Sequence, residues 1–540
     1  MSSLLLALRL GRWGIAGFSA LAFISTLAQT FAFYTIAGQT AAQQAAFGAA
    51  IGTLASHFTA ILPPPIRPET VGGYVEWRGF HALGLIFGVW AFASATGMSR
   101  VDEERGVIEA ILAAGTSRLE LIAARVAAFT VGALVASLAA TAGFVAGVLA
   151  HHDTLNSSGV VDELLLLAAL AVCCYSIALL VAQVSSPRAA TAAAGIVLLG
   201  LFLINSLSRT FSSLDTVRWL SPFRYYDLNQ PLPPGGTFDA RSVVVLLAIA
   251  ILATVAAAVA FMMRDIGSAL IKIPGLRHAT RYDPSSAIWW RLPLVRELYD
   301  RRVALIAWSS GVAVLAAVFV SVVKSTIQPL LAVPALLPYF AAIVHGDIYP
   351  AVLGFVWFNF AQLLFAAFAI TQVARWAADD TDGRLEIVLS QPRSRASVVV
   401  ERLVTLTVGA AVIALASGIA VYYASQAQGI DLNRPRLAAA SLMLVPFALV
   451  FASAGALLAA WKPRAAIGLL GVVAFASYLD TEVGPLLRWP LWVQDLSAFK
   501  LFGTPLSSGV DGRNLAIMLL VVTALIGSSI LAMQRRDVGA

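Results

Sequence analysis

Two acidic residues in look-alike settings are where chemistry is first sought. Glu109 lies in GVIEAILAAGTSR, from Gly106 to Arg118, and Glu386 lies in GRLEIVLSQPRSR, from Gly383 to Arg395. In each copy Gly opens the segment, Glu follows three residues on, and Ser-Arg closes it. Apolar residues recur at helical spacing: Ile108, Ile111 and Leu112, then Leu385, Val388 and Leu389. Gly115 and Pro392 end the pattern, and charges precede it: Asp102, Glu103, Glu104 and Arg105, then Asp379, Asp380 and Asp382. Such a segment holds no nucleophile with a base and no metal-ligand set. Its chemistry is that of a short amphipathic helix with a charged face, suited to docking on another protein. The plainer alternative is that these charges cap helices and face water.

Other chemistry is sparse. No G-x-x-x-x-G-K-[ST] loop, H-E-x-x-H pair or G-x-S-x-G elbow occurs. His151, His152 and Asp153 adjoin an expected outer loop, with no further metal ligand expected nearby. Asn156-Ser157-Ser158 fits a glycosylation sequon, which matters only in a eukaryotic secretory pathway. Cys173 and Cys174 are adjacent inside an apolar run and read as small apolar filler. The interiors of the apolar runs carry almost no ionisable residues. A charge at the centre of a span costs at least about 2.5–3.5 kcal/mol, so those that remain usually work in ion pathways. Asp347, Asp480 and Glu482 lie near expected outer ends and are weak candidates. Energy coupling through a partner is therefore expected over coupling through the spans.

The elements that must hold these segments are membrane helices. Of 540 residues, 59% are hydrophobic and 12% charged, with mean hydropathy +0.83. A soluble domain carries about 25% charged residues, so the fold class is an all-α integral membrane protein. The net charge of +7 sits in short connectors rather than a dense basic run, which fits basic cytoplasmic loops better than nucleic-acid binding. The first apolar run, Trp13 to Gly38, is too long for a signal-peptide core.

Twelve runs approach the about 20 residues a spanning helix needs. They fall near 13–38, 80–98, 122–149, 161–184, 189–207, 241–263, 303–323, 350–373, 398–424, 437–460, 464–480 and 514–533. They divide into two tandem halves of six. SSPRAATAAAGIVLLG from Ser185 resembles WKPRAAIGLLG from Trp461, and LSPFRYY from Leu220 resembles LSAFKLF from Leu496. MMRDIG, ending at Gly267, resembles QRRDVG, ending at Gly539. With the opening pair, these matches keep one order and a spacing of roughly 270–280 residues, the mark of duplication. Six spans return the chain to its starting side, so the halves are parallel repeats with a pseudo-two-fold relation. The boundaries read as 1–267, a cytoplasmic linker at 268–293, and 294–540. Most of the 36 Lys and Arg residues border the segments on the side of the amino terminus. The positive-inside rule then places both termini and both Glu-bearing segments in the cytoplasm. Amphipathic lead-ins, Leu4 to Arg12 and Pro293 to Arg302, are expected in the interface before each half. Aromatic outer connectors, about 208–240 and 481–513, are expected to form short capping helices. LPPPIRP, Leu62 to Pro68, reads as a rigid extended stretch.

With motif, topology and repeat in hand, the chain resembles type-two ABC exporter permeases. Their coupling segment, E-x-G-x-x-E-x-[IL]-L-x-x-P-x-S-R, follows the second of six spans, as both segments do here. The fused twelve-span form is similar to tetronasin-type antibiotic and multidrug exporter permeases of actinobacteria. The copies depart from the pattern where Gly115 stands for Pro392 and Asp382 for Arg105.

The resemblance implies a transport subunit without its own ATPase site, in a bacterial cell membrane. It would be powered by a separate nucleotide-binding ATPase subunit, two copies per chain, which holds ATP and Mg. The cargo would be a hydrophobic or amphipathic small molecule, such as an antibiotic or drug. An ion-driven secondary transporter, or an ABC exporter of lipid or polymer, is the alternative. The implied coupling residues are Arg105, Gly106, Glu109, Arg118, Gly383, Arg384, Glu386, Pro392 and Arg395. The implied substrate path, from the second and fifth spans, includes Phe87, Trp90, Phe92 and Asn205. In the second half it includes Trp357, Asn359, Phe360, Gln362 and Phe365. Helix packing is the plainer role for each of these.

Overall fold

The computed structural model describes residues 3–38, 40–57, 63–185, 187–209, 211–270, 292–331, 348–484 and 489–536. Among them the chain is helical, with one isolated bridge, Gln230 to Thr237. Eleven helices among the described residues are long and apolar enough to cross a membrane, and a shorter apolar helix covers Ala465–Thr481. The chain divides into two compact units, Met1–Ala279 and Thr280–Ala540. Most of the expected linker, and Asp347, lie outside the described residues.

In the first unit, polar residues start the helices. Ser117, Asn156 and Asp239 each accept a hydrogen bond from a backbone N–H of the turn that follows, satisfying a donor the helix itself leaves open. The first helix, Ser3–Ile36, runs along Arg118–Ala150 at close range. A Cβ on Gly143 would lie 2.2 Å from the Phe23 carbonyl oxygen. That approach lets Thr26 Oγ1 donate to Ala140 O across the gap at 2.7 Å. In lipid there is no hydrophobic force between helices, so small residues and such bonds supply the packing. Ser157–Val184 is the most enclosed span and packs on Val71–Glu104 and Ala240–Met263. Cys173 and Cys174 are free thiols buried within it.

In the second unit, Ser394, Asn433 and Asp511 cap the corresponding helices. Arg302–Leu331 packs on Arg395–Ala427, and Arg434–Trp461 packs on Gly512–Arg535.

Two helices outrun their apolar cores. The spans expected at 80–98 and 350–373 belong to the helices Val71–Glu104 and Ile348–Thr381. Hydropathy stops at the flanking charges, but the helices continue, and at their carboxyl ends those charges are paired inside the protein. Both helices contain π-turns, at Glu76–Phe80 and Gly97–Val101 and at Gly354–Phe358. Such turns often mark functional positions in a helix. The lead-in at Leu4 to Arg12 is not a separate element: it is continuous with Ser3–Ile36. That is 34 residues, about 50 Å at 1.5 Å per residue against an apolar core of about 30 Å. In the second unit Pro293–Asp300 is a helix of its own before Arg302–Leu331. Short helices do lie in both connectors expected on the outer side, including Pro222–Asp227 and Ala498–Phe502.

Candidate functional site

The two Glu-bearing segments fold alike. Gly106 and Gly383 take left-handed backbone angles, φ 72° and 73°, and turn the chain out of the long second helix of each unit. L-residues rarely adopt that conformation, so glycine is required there. The short helices Val107–Ala113 and Arg384–Leu389 follow, with Glu109 and Glu386 in their first turns. Ile108 and Leu385 are buried and fasten each helix to its unit. Glu109, Arg105, Glu386, Arg384 and Pro392 are exposed.

The two exits differ. Gly115 sits at φ +94°, which proline, with φ fixed near −65°, cannot adopt; at Pro392 the chain leaves by another turn. Arg393 then braces that turn on Glu401 at 3.0 Å. Ile387 is 69% exposed on the second segment, where the first carries Ala110.

The closing arginines look inward. Arg118 Nη1 donates to the carbonyls of Phe261 and Arg264, both at 2.8 Å. Arg395 Nη1 donates to the carbonyls of Met533 at 2.9 Å, Gln534 at 3.1 Å, and Arg536. Each ties its segment to the carboxyl end of the last span in the same unit, where open carbonyls favour a cation. Behind the segments, ion pairs recur at matching positions. Asp102 pairs with Arg125 at 2.9 Å, and Asp379 with Arg402 at 3.5 Å. Glu103 takes Arg264 at 2.7 and 2.6 Å and Arg100 at 3.1 Å, while Asp380 takes Arg536, with Nη2 to Oδ1 at 3.0 Å. Val71–Glu104, the Glu109 segment, Arg118–Ala150 and the end of Ala240–Met263 are thus clamped together in the first unit, and Ile348–Thr381, the Glu386 segment, Arg395–Ala427 and the end of Gly512–Arg535 in the second.

The candidate substrate-path residues mostly pack. Phe87 is buried and meets Phe18 edge-on at 4.8 Å. Trp90, half-buried, stacks on Phe18 at 4.3 Å and leans on Phe129 at 4.7 Å. Phe92 is buried, and Asn205 is spent on the Asp227 carboxylate. In the second unit Trp357 and Phe365 are buried, and Phe360 stacks on Phe319 at 5.1 Å. Gln362, buried, reaches Asn359 Oδ1 at 3.4 Å. Asp480 is 6% exposed, and neither carboxylate oxygen has a partner among the described residues. The Glu482 side chain lies outside the described residues. His151 bonds to Gly147 O at 2.9 Å and stacks on Tyr34, whose hydroxyl donates to Asp153.

The expectation of almost no ionisable residues inside the spans needs correction. Glu76, Glu163, His81, Arg100, Glu103 and Arg125 are all buried within spanning helices of the first unit. Arg125 and Glu163 stood within the apolar runs read from sequence, but a run average hides a single charge. Glu76 and Arg100 stood just outside a run, where nothing in the pattern shows that the helix continues. His81 Nε2 faces Asp227 at 3.7 Å, and Asp227 also takes Arg209.

The fold defines a multi-pass helical membrane protein. A family model described as multidrug efflux system permease Rv1217c, C-terminal domain, matches residues 69–262 and 294–534. The chain belongs to that family and is a transmembrane efflux permease. A comparison with curated protein sequences finds no match.

Proposed function

We propose that the chain is the membrane permease of an ATP-driven exporter of the ABC type, fused so that one chain supplies both six-span halves, like the tetronasin-type exporters. A separate ATPase subunit, with its ATP and Mg, docks on the segments around Glu109 and Glu386. Its closure on ATP moves them, and the cargo is a hydrophobic or amphipathic small molecule expelled across the cell membrane. Both termini and both segments face the cytoplasm in this reading. The observation that carries it is the repeated build: an exposed short helix, opened by a left-handed glycine, with an exposed Glu in its first turn and an arginine tied to the last span. A water-facing cap would not need to be clamped to three spanning helices, whereas a lever would. Arg118 and Arg395 act as tethers, and Glu109, Glu386, Arg105 and Arg384 as the contact residues. The unequal exits and the exposed Ile387 predict that the second segment binds its subunit the more tightly.

The test is gentle purification from native membranes with identification of what comes along, joined to an ATP hydrolysis assay. The reading expects a stoichiometric ATPase subunit that is lost in Glu109→Ala/Glu386→Ala. A chain that purifies alone under several mild detergents, with efflux abolished by an uncoupler, would overturn it in favour of an ion-driven carrier.

A further inference from the structure

The first unit holds an acid pair that its second-unit counterpart lacks. Glu76 lies in the π-turn of Val71–Glu104, and Glu163 near the start of Ser157–Val184. Both are 0% exposed. Glu76 Oε2 accepts from Leu232 N at 3.2 Å, and Glu163 Oε1 accepts from the Tyr226 hydroxyl at 2.6 Å. The other two oxygens, Glu76 Oε1 and Glu163 Oε2, have no donor among the described residues, yet the two side chains lie within hydrogen-bond reach of each other. Among the described residues no arginine or lysine partners either acid. Two buried acceptor oxygens can face each other only across a proton.

We propose that Glu76 and Glu163 form a proton-binding site, in which one proton is shared between Glu76 Oε1 and Glu163 Oε2. The count closes with that single proton: Leu232 N–H, the Tyr226 O–H, given to Glu163 Oε1 at 2.6 Å over the Phe80 carbonyl at 3.1 Å, and the shared proton satisfy all four oxygens, and the pair carries one negative charge. Both outside donors come from the connector at 211–239, which is fastened over the start of the Val71 helix. Gln230 joins Ile66 N and Pro64 O at 2.8 Å, and a Cβ on Gly72 would lie 2.6 Å from Leu232 O. Lifting this connector removes both donors and admits water, so proton exchange at the pair is linked to the connector's position.

The ionisable groups around the pair are few. From the connector, Tyr226 faces it directly; burial and the two acids hold its phenol well above the usual range, so it stays a donor. Beyond Tyr226 stand Asp227, Arg209 and His81, paired with one another. On the neighbouring turn Arg78 reaches the Tyr74 hydroxyl at 3.4 Å, and the first helix brings the uncharged Gln29 to Gly79. At the separation that relates Gly106 to Gly383, Glu76 corresponds to Leu353 and Glu163 to Ala440. In the matched connector motif, Tyr226 corresponds to Phe502. The site is therefore carried once per chain.

The test uses the full chain in lipid nanodiscs and infrared difference spectroscopy of the protonated carboxyl stretch during a pH titration. Wild type is expected to show this band at neutral pH, titrating as one proton. Glu76→Gln and Glu163→Gln should each remove the whole band, because the amide replaces the shared proton with its own N–H donor. Two independently protonated acids would instead lose half the band per substitution, and that result overturns the sharing. Absence of the band in wild type at neutral pH overturns the site itself. The double variant Glu76→Leu/Glu163→Ala, which copies the second unit, should fold with an unchanged melting profile and no band. Since the wild-type spectrum alone decides whether the proton is present, poor folding of a variant leaves the proposal open to refutation.

Discussion

Replacing Glu103 by alanine tests the clamp behind the first segment. Glu103 stands three residues before Gly106 and holds Arg264 through two bonds, Arg100 through two more, and the amide of Gly267. The side chains of Arg100, Glu103 and Arg264 are all 1% exposed. Removing one partner of a buried ion pair leaves an uncompensated charge and costs about 3–5 kcal/mol. Here two guanidiniums are left behind, although backbone carbonyls of Ala182, Gln183 and Ser185 still hold Arg100, so the lower part of that range applies. The counterpart Asp380 holds one arginine, Arg536, and their side chains are 9% and 19% exposed. Losing its bonds should cost about 1.5–3 kcal/mol, the usual range for hydrogen bonds to charged groups. Glu103→Ala should therefore be the more damaging of the two. The measurement is the unfolding midpoint of the purified chain in mixed detergent micelles, with limited proteolysis around Gly106 as the local readout. Glu103→Ala should also speed cleavage there, because the clamp seats the segment. A cost for Glu103→Ala within about 1 kcal/mol, the level of a surface pair, or a larger cost for Asp380→Ala, would refute the reasoning.

Gly106→Ala and Gly383→Ala should each cost about 1 kcal/mol from left-handed backbone alone, since a Cβ at either position meets nothing within 4 Å; drug efflux should fall more than the melting temperature. Arg118→Gln and Arg395→Gln should each cost about 1.5–3 kcal/mol as charge-assisted bonds to carbonyls are lost, and hydrogen exchange should rise at the end of the last span. Trp357→Ala should destabilise by about 3–5 kcal/mol, as large buried side chains do, and Trp90→Ala by less, because Trp90 is only half-buried; a changed drug profile in Trp90→Ala without a matching loss of stability would restore it to the cargo path. The Tyr226 phenol is held up in the folded state, so the unfolded chain ionises first as pH rises past about 10. Stability should be unaffected by this group below that pH and fall above it, and Tyr226→Phe should flatten the fall in a titration of the melting temperature.

What the sequence made legible follows from how membrane helices are specified. Spans announce themselves by composition, because lipid demands an apolar surface all round. The Glu-bearing segments are legible because they lie between the apolar runs, where a glycine, a capping serine and a lone Glu stand out against an apolar background. The ionisable residues inside the helices were not legible, for the opposite reason. Hydropathy averages price each charge as if it stood alone, whereas Glu103 beside Arg264, or Asp102 beside Arg125, is priced with its partner far along the chain. Arg118 shows the same limit: sequence places it at the end of a Glu-bearing segment, and only the fold supplies the carbonyls of Phe261 and Arg264 that occupy it. The repeat sharpens this. Acid and base recur together at 103 and 264 and at 380 and 536, so a pairing invisible in one half becomes readable when two halves are aligned. Glu76 and Glu163 fail that comparison, with Leu353 and Ala440 opposite them. A clamp that both halves keep belongs to the shared build, whereas an acid pair present in one half alone is not required by the architecture. The difference between the halves is therefore where function particular to this permease should be sought first.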